Sequence, residues 1–153
     1  MTVKSHVNSA GRRQLGLKFE PGPSQLRLTL GALFLEQRNK QGLTQAQAAE
    51  LVGVHRTYVN KVERGQVNIN LDNLDKFFRA FFPDGDPNTI KTRFGNNIKA
   101  WRGESHSQES LALFLDIPVQ YIFRVEKGVV TTAVDQVGAI AQKLGVDPME
   151  LLK

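Results

Sequence analysis

The chain has 153 residues, of which 41% are hydrophobic and 23% charged, so it allows one domain or two small ones with an ordinary apolar core. It contains no cysteine, which excludes a disulfide framework and a thiolate metal site, and no apolar run of about 18 residues that would mark a transmembrane helix. The formal net charge of +5 splits into +3 over residues 1–20, +2 over 21–85 and zero over 86–153, so an anionic partner is expected to meet the first half.

Residues 1–24 carry Ser, Asn, Gly, Pro21 and Pro23 without a sustained period, and are read as a flexible basic arm. Arg12 and Arg13 in it suit a DNA minor groove, a solvated terminus being the alternative. The stretch lacks the apolar centre of a signal peptide, and the absence of cysteine fits a reducing cytoplasm.

Ser24 is placed to cap a first helix over about 25–41, with Leu26, Leu30, Leu33 and Phe34 inward. Residues 43–65 then read as two short helices joined by a tight turn. Thr44 is a good N-cap, because its hydroxyl can accept from N–H groups left open at a helix start. Ala48, Ala49 and Leu51 supply a small inward face that lets a second helix cross closely. Gly53 stands where the chain must turn, in a left-handed conformation, and Val54 plugs the turn into the core. His55 to Glu63 form the second helix, with Tyr58, Val59 and Val62 inward and Gly65 ending it. His55, Arg56, Thr57, Asn60 and Lys61 point outward, a hydrogen-bonding face shaped for the major groove of double-stranded DNA. Arg56 has the fork geometry that matches guanine O6 and N7, whereas Lys61 and Arg64 suit phosphates.

Asn70 caps a further helix over about 71–82, with Leu71, Leu74, Phe77, Phe78, Phe81 and Phe82 on its apolar face. Four phenylalanines exceed what such a domain needs internally, so they are expected at an inter-domain or inter-subunit contact. Residues 83–87, Pro-Asp-Gly-Asp-Pro, form the linker between a first domain (25–82) and a second (88–153).

A shift of 63 positions superimposes the second domain on the first. Ser107 and Gln108 fall on Thr44 and Gln45, Ala112 on Ala49, Ile117 on Val54, Tyr121 on Tyr58, and Val125-Glu126-Lys127-Gly128 on Val62-Glu63-Arg64-Gly65. Ile90, Phe94, Ile98 and Trp101 make the first-helix stripe of this copy. Val134, Val137, Ile140, Ala141 and Leu144 match the fourth helix, and Asp147-Pro148 opens a short last one.

The Thr-Gln-x-x-x-Ala run, Gly53-Val54 and the Tyr58-Val59-x-x-Val62-Glu63-x-Gly65 ending resemble the Xre/Cro-like helix-turn-helix family of phage repressors, restriction–modification controllers and antitoxins. The resemblance implies an all-α chain of two tandem five-helix, lambda-repressor-like domains, the third helix of each being the recognition helix. It implies that Thr44, Gln45, His55, Arg56, Thr57, Tyr58, Asn60, Lys61 and Arg64 lie at a DNA interface, with Gln45 at a phosphate and Arg38 paired to Glu63. The second copy departs from this pattern. Val119 replaces Arg56, Phe123 replaces Asn60 and Pro118 replaces His55, with Val119 and Phe123 outward. Trp101 stands at the place of Arg38, so Glu126 keeps a partner only if Arg102 reaches round. This copy is expected to serve packing or dimerisation, while Ser107, Gln108, Gln120, Arg124 and Lys127 leave a secondary DNA contact open.

His6, His55 and His106 are scattered without ligand companions, and neither a phosphate loop nor a nucleophile elbow is present, so no enzyme, cofactor or metal is expected. The expected function is that of a cytoplasmic, bacterial or phage-encoded regulator that binds a palindromic operator as a homodimer. The competing function is a protein-interaction module, an antitoxin or anti-repressor that holds a partner protein.

Overall fold

The computed structural model describes residues 25–153. The expected arm with Arg12 and Arg13, and Ser24 as a cap, lie outside the described residues. Within them the chain runs α1 (Gln25–Lys40), α2 (Gln45–Val52), α3 (Arg56–Glu63), α4 (Leu71–Phe81), α5 (Ile90–Arg102), α6 (Gln108–Leu115), α7 (Val119–Glu126) and α8 (Val134–Leu144). A 3-10 helix, Pro148–Leu151, closes it. Each copy therefore has four α-helices. The fifth helix expected of each is this 3-10 turn in the second copy; in the first copy residues 85–88 are bend and irregular chain.

The helices α2, α3 and α4 start and end 63 residues before α6, α7 and α8. The first helices keep a different offset. Leu26, Leu30, Gly31 and Phe34 of α1 are buried, and so are Ile90, Phe94, Gly95 and Ile98 of α5, each 64 residues on. The glycines fix this register. A Cβ on Gly31 would stand 2.5 Å from the Val62 carbonyl oxygen, and one on Gly95 would collide with the carbonyl of Val125. Each glycine lets its helix lie directly on the backbone of the last turn of α3 or α7.

This register corrects the place of Trp101. It was expected in the α5 stripe and opposite Arg38, but it is exposed and stacks on His106, with ring centroids 5.8 Å apart and planes 14° apart. The residue 64 positions after Arg38 is Arg102.

In the first copy, the buried ring of Phe34 lies 5.0, 5.2 and 5.9 Å from those of Phe77, Phe78 and Phe81. The α4 phenylalanines thus mostly fill their own domain's core. Phe78 also meets the second copy through the Arg93 guanidinium, 5.9 Å from its ring centre.

The two copies meet about a local two-fold axis. Asn70 and Ala133, 63 residues apart, form an antiparallel β-bridge. Beside it the Leu71 N–H donates to the Thr132 carbonyl and the Val134 N–H to that of Ile69, both at 2.9 Å. One step out, the Asp72 N–H donates to Thr131 Oγ1 at 3.1 Å and the Asp135 N–H to Asn68 Oδ1 at 2.9 Å. Arg27 pairs with Asp135, and Lys91 with Asp72. α1 packs on α8 as α5 packs on α4. Each of these contacts has its mate under the same offsets, the property of an isologous interface, whereas the Arg93–Phe78 contact and the Ile90 N–H bond to Asp75 have no mate among the described residues.

Candidate nucleic-acid interface

The α2–α3 element is built by local chemistry. Thr44 Oγ1 accepts from the Gln47 N–H at 3.1 Å while Gln47 Oε1 accepts from the Thr44 N–H at 2.8 Å, a reciprocal cap that starts α2. Ala48 and Ala49 are buried as expected. Leu51 is not: it is 52% exposed, and Val52 takes the inward position. Gly53 adopts φ 89°, and the N–H of Val54 returns to the Ala49 carbonyl, which reverses the chain into α3. In the second copy the same turn position is held by Asp116 at φ 58°, the one non-glycine residue with positive φ among the described residues. Aspartate tolerates this region because its short side chain bonds locally.

α3 is fixed from behind. Val59 and Val62 are buried, and Glu63 draws two other helices onto itself. Arg38 of α1 donates to it through Nε at 2.5 Å and Nη2 at 3.1 Å, and Gln45 of α2 through Nε2 at 3.0 Å. Nη1 of Arg38 donates in turn to the Leu43 carbonyl at 2.9 Å. With both charged partners largely out of water, the bidentate geometry makes this brace directional. The second copy rebuilds it. Arg102 donates to Glu126 at 2.8 and 2.9 Å and to the His106 carbonyl at 3.1 Å, and Gln108 donates to Glu126 at 2.9 Å. Burial alone would raise the Glu126 carboxyl, but hydrogen bonds from Arg102 and Gln108 and the charges of Arg102 and Lys99 outweigh it. The group is held below the usual carboxylate value.

The outward face of α3 carries His55 as backbone N-cap, then Arg56, Thr57, Lys61 and, just past the helix, Arg64, all exposed. Among the described residues Arg56, Lys61 and Arg64 take part in no ion pair. Thr44, at the start of α2, is exposed as well. Three further residues expected at the interface, Tyr58 among them as an inward residue, are partly buried. Tyr58 is half-buried with its ring 6.1 Å from that of Phe77, and burial pushes its hydroxyl above the ordinary phenol value. Asn60 is half-buried and accepts from Gln45 at 3.3 Å. Gln45, expected at a phosphate, uses its amide N–H on Asn60 and Glu63 and so props α3.

In the second copy Gln120, Arg124 and Lys127 are exposed, Ser107 caps α6, and Gln108 is engaged with Glu126. Val119 and Phe123, expected outward, are half-buried, and Phe123 lines a shallow depression with Lys99, Gln108, Glu126 and Lys127. Arg102, expected to reach Glu126 only by going round Trp101, is the regular brace of this copy. The glycine pair at 31 and 95 was the signal that would have found it.

A helix-turn-helix family model matches residues 35–82 and again 98–151, well over half of the chain. The chain belongs to the Xre/Cro-like helix-turn-helix family. The control protein C.BamHI of Bacillus amyloliquefaciens is 34% identical to it over 58 residues, 37% of this chain and 72% of that protein. As an Xre/Cro-like protein carrying the motif twice, the chain is a DNA-binding transcription regulator. No helix among the described residues is long and apolar enough to cross a membrane, and no group of three or more His, Asp or Glu there is placed to hold a metal.

Proposed function

We propose that this protein is a cytoplasmic, sequence-specific regulator that inserts α3 into the major groove of an operator. Arg56 reads guanine, His55 and Thr57 contact adjacent base edges or phosphates, and Lys61 and Arg64 hold phosphates. The observation that carries this reading is a cationic face with no protein ion-pair partner among the described residues, set on a helix locked by the Arg38–Glu63–Gln45 brace. Two arrangements satisfy it: two chains sharing a palindrome, each with α3 in one half-site, or one chain applying both copies. The symmetric contacts between the copies favour the second.

The exposed Leu113 (84%) and Phe114 (55%) on α6 favour a different reading, in which this face holds a partner protein as an antitoxin or anti-repressor does. Selection of duplexes from a random pool, followed by titration of the winning sequence against scrambled duplex, separates the two. A regulator enriches a motif and prefers it; a holding module binds both duplexes alike.

A further inference from the structure

We infer that one chain is a covalent pseudo-dimer that spans a single asymmetric operator, α3 reading one half and α7 contacting the other. This rests on the function proposed above and specifies its stoichiometry and target.

The interface between the copies argues for it first. The bridge at Asn70 and Ala133, the two pairs of hydrogen bonds around it and the ion pairs Arg27–Asp135 and Lys91–Asp72 are all exchanged under the repeat. An isologous patch is self-complementary and is used up when two copies close on it. In this chain the two copies close on each other, so the surface that would join two identical domains is already occupied. The axis that relates the copies also relates α3 to α7. A duplex has the same kind of local two-fold, which is why paired recognition helices meet paired half-sites.

The two faces then differ in one chemical respect. The cationic positions are kept: Lys61 corresponds to Arg124 and Arg64 to Lys127, all exposed. The base-reading position is not kept, since Arg56 corresponds to Val119. Cations that hold phosphates position a protein without reading sequence, whereas an aliphatic side chain in the groove discriminates only through contact with a thymine methyl. The second half-site is therefore gripped at its backbone and read weakly, with thymine favoured where the first half carries guanine.

The test uses the full chain on duplexes selected from a random pool, with native mass spectrometry for stoichiometry. One chain per duplex is expected, on a motif without two-fold symmetry whose two halves differ in information content. Val119→Arg should introduce guanine at the matching place of the weaker half and move the motif toward a palindrome. Arg124→Ala, at an exposed position that leaves the fold intact, should weaken binding and reduce the slope of log K against log salt by about one, as Arg64→Ala does. Two chains per duplex on a palindromic motif would overturn the inference and leave the function standing. So would an Arg124→Ala protein with unchanged affinity and salt slope. Failure to enrich any motif would remove the function and the inference together.

Discussion

Arg102 does for Glu126 what Arg38 does for Glu63, although the two arginines stand 64 residues apart and the two glutamates 63. The offset changes because the connection between α5 and α6 closes the distance from the arginine to the glutamine of the brace in one residue fewer. The network of arginine, glutamine, glutamate and loop carbonyl is kept whole across that change. Its persistence marks it as the brace that ties α3 and α7 to the two helices before each of them.

The close approach behind this device is the first point to test. Gly31→Ala would bring a methyl group within 2.5 Å of the Val62 carbonyl oxygen, which is backbone and cannot swing aside. A loss of roughly 1–3 kcal/mol is expected from the forced shift. Chemical denaturation measures it, and unchanged stability would show that α1 and α3 are looser than described.

The Glu126 brace makes a pH prediction whose sign is fixed. Its carboxyl is depressed in the fold, so its contribution is complete above the ordinary carboxylate value and is lost as pH falls through the depressed one. Glu126→Gln should lower stability at neutral pH and flatten the fall of thermal stability below about pH 4.5. Parallel acid melts of the two proteins decide it.

Arg56 and Arg64 should separate reading from holding. Arg56→Ala is expected to weaken binding to the selected duplex by about ten- to a hundredfold, or ~1–3 kcal/mol, with little effect on scrambled DNA. Arg64→Ala should weaken both duplexes alike and flatten the salt dependence. Fluorescence anisotropy over a salt series reads both, and equal behaviour of the two variants would sink the division of roles.

Gln136 on α8 is 3% exposed, and neither amide atom has a hydrogen-bond partner among the described residues. A buried unpaired polar group costs about 1–3 kcal/mol. Gln136→Met, similar in volume and without that cost, should raise the melting temperature by a few degrees. A lower one in calorimetry would show that the amide serves a purpose beyond packing.

The stretch from Thr44 to Gly65 was legible because its determinants are local. A capping hydroxyl, a glycine at positive φ and two inward valines act over a few residues, and the structure returns each of them. Leu51 was misplaced for an equally local reason: Leu51 and Val52 are adjacent, and one turn of helix cannot tell from periodicity which of them faces in. Trp101 was misplaced because a gapless repeat in the helix-turn-helix was extended through a connection that differs by one residue. Tyr58, Asn60 and Gln45 carry polar groups suited to DNA, and only the packing of Phe77 and Glu63 beneath them shows how they are spent. The pairing of residues 68–72 with 131–135 had no signature at all. Backbone groups make most of it, and the two side-chain acceptors, Asn68 and Thr131, are polar residues of a kind common in loops.

The bridge between Asn70 and Ala133 also bears on how such a regulator counts itself. Subunits that must find each other respond to the square of their abundance and fall silent on dilution. On the proposed one-chain arrangement, two readers on one polypeptide are together from the moment of synthesis, so occupancy should track copy number to the first power, even at a few molecules per cell. The arrangement also frees inheritance: a change in one reader is not duplicated in the other, and the two faces can diverge as Arg56 and Val119 have.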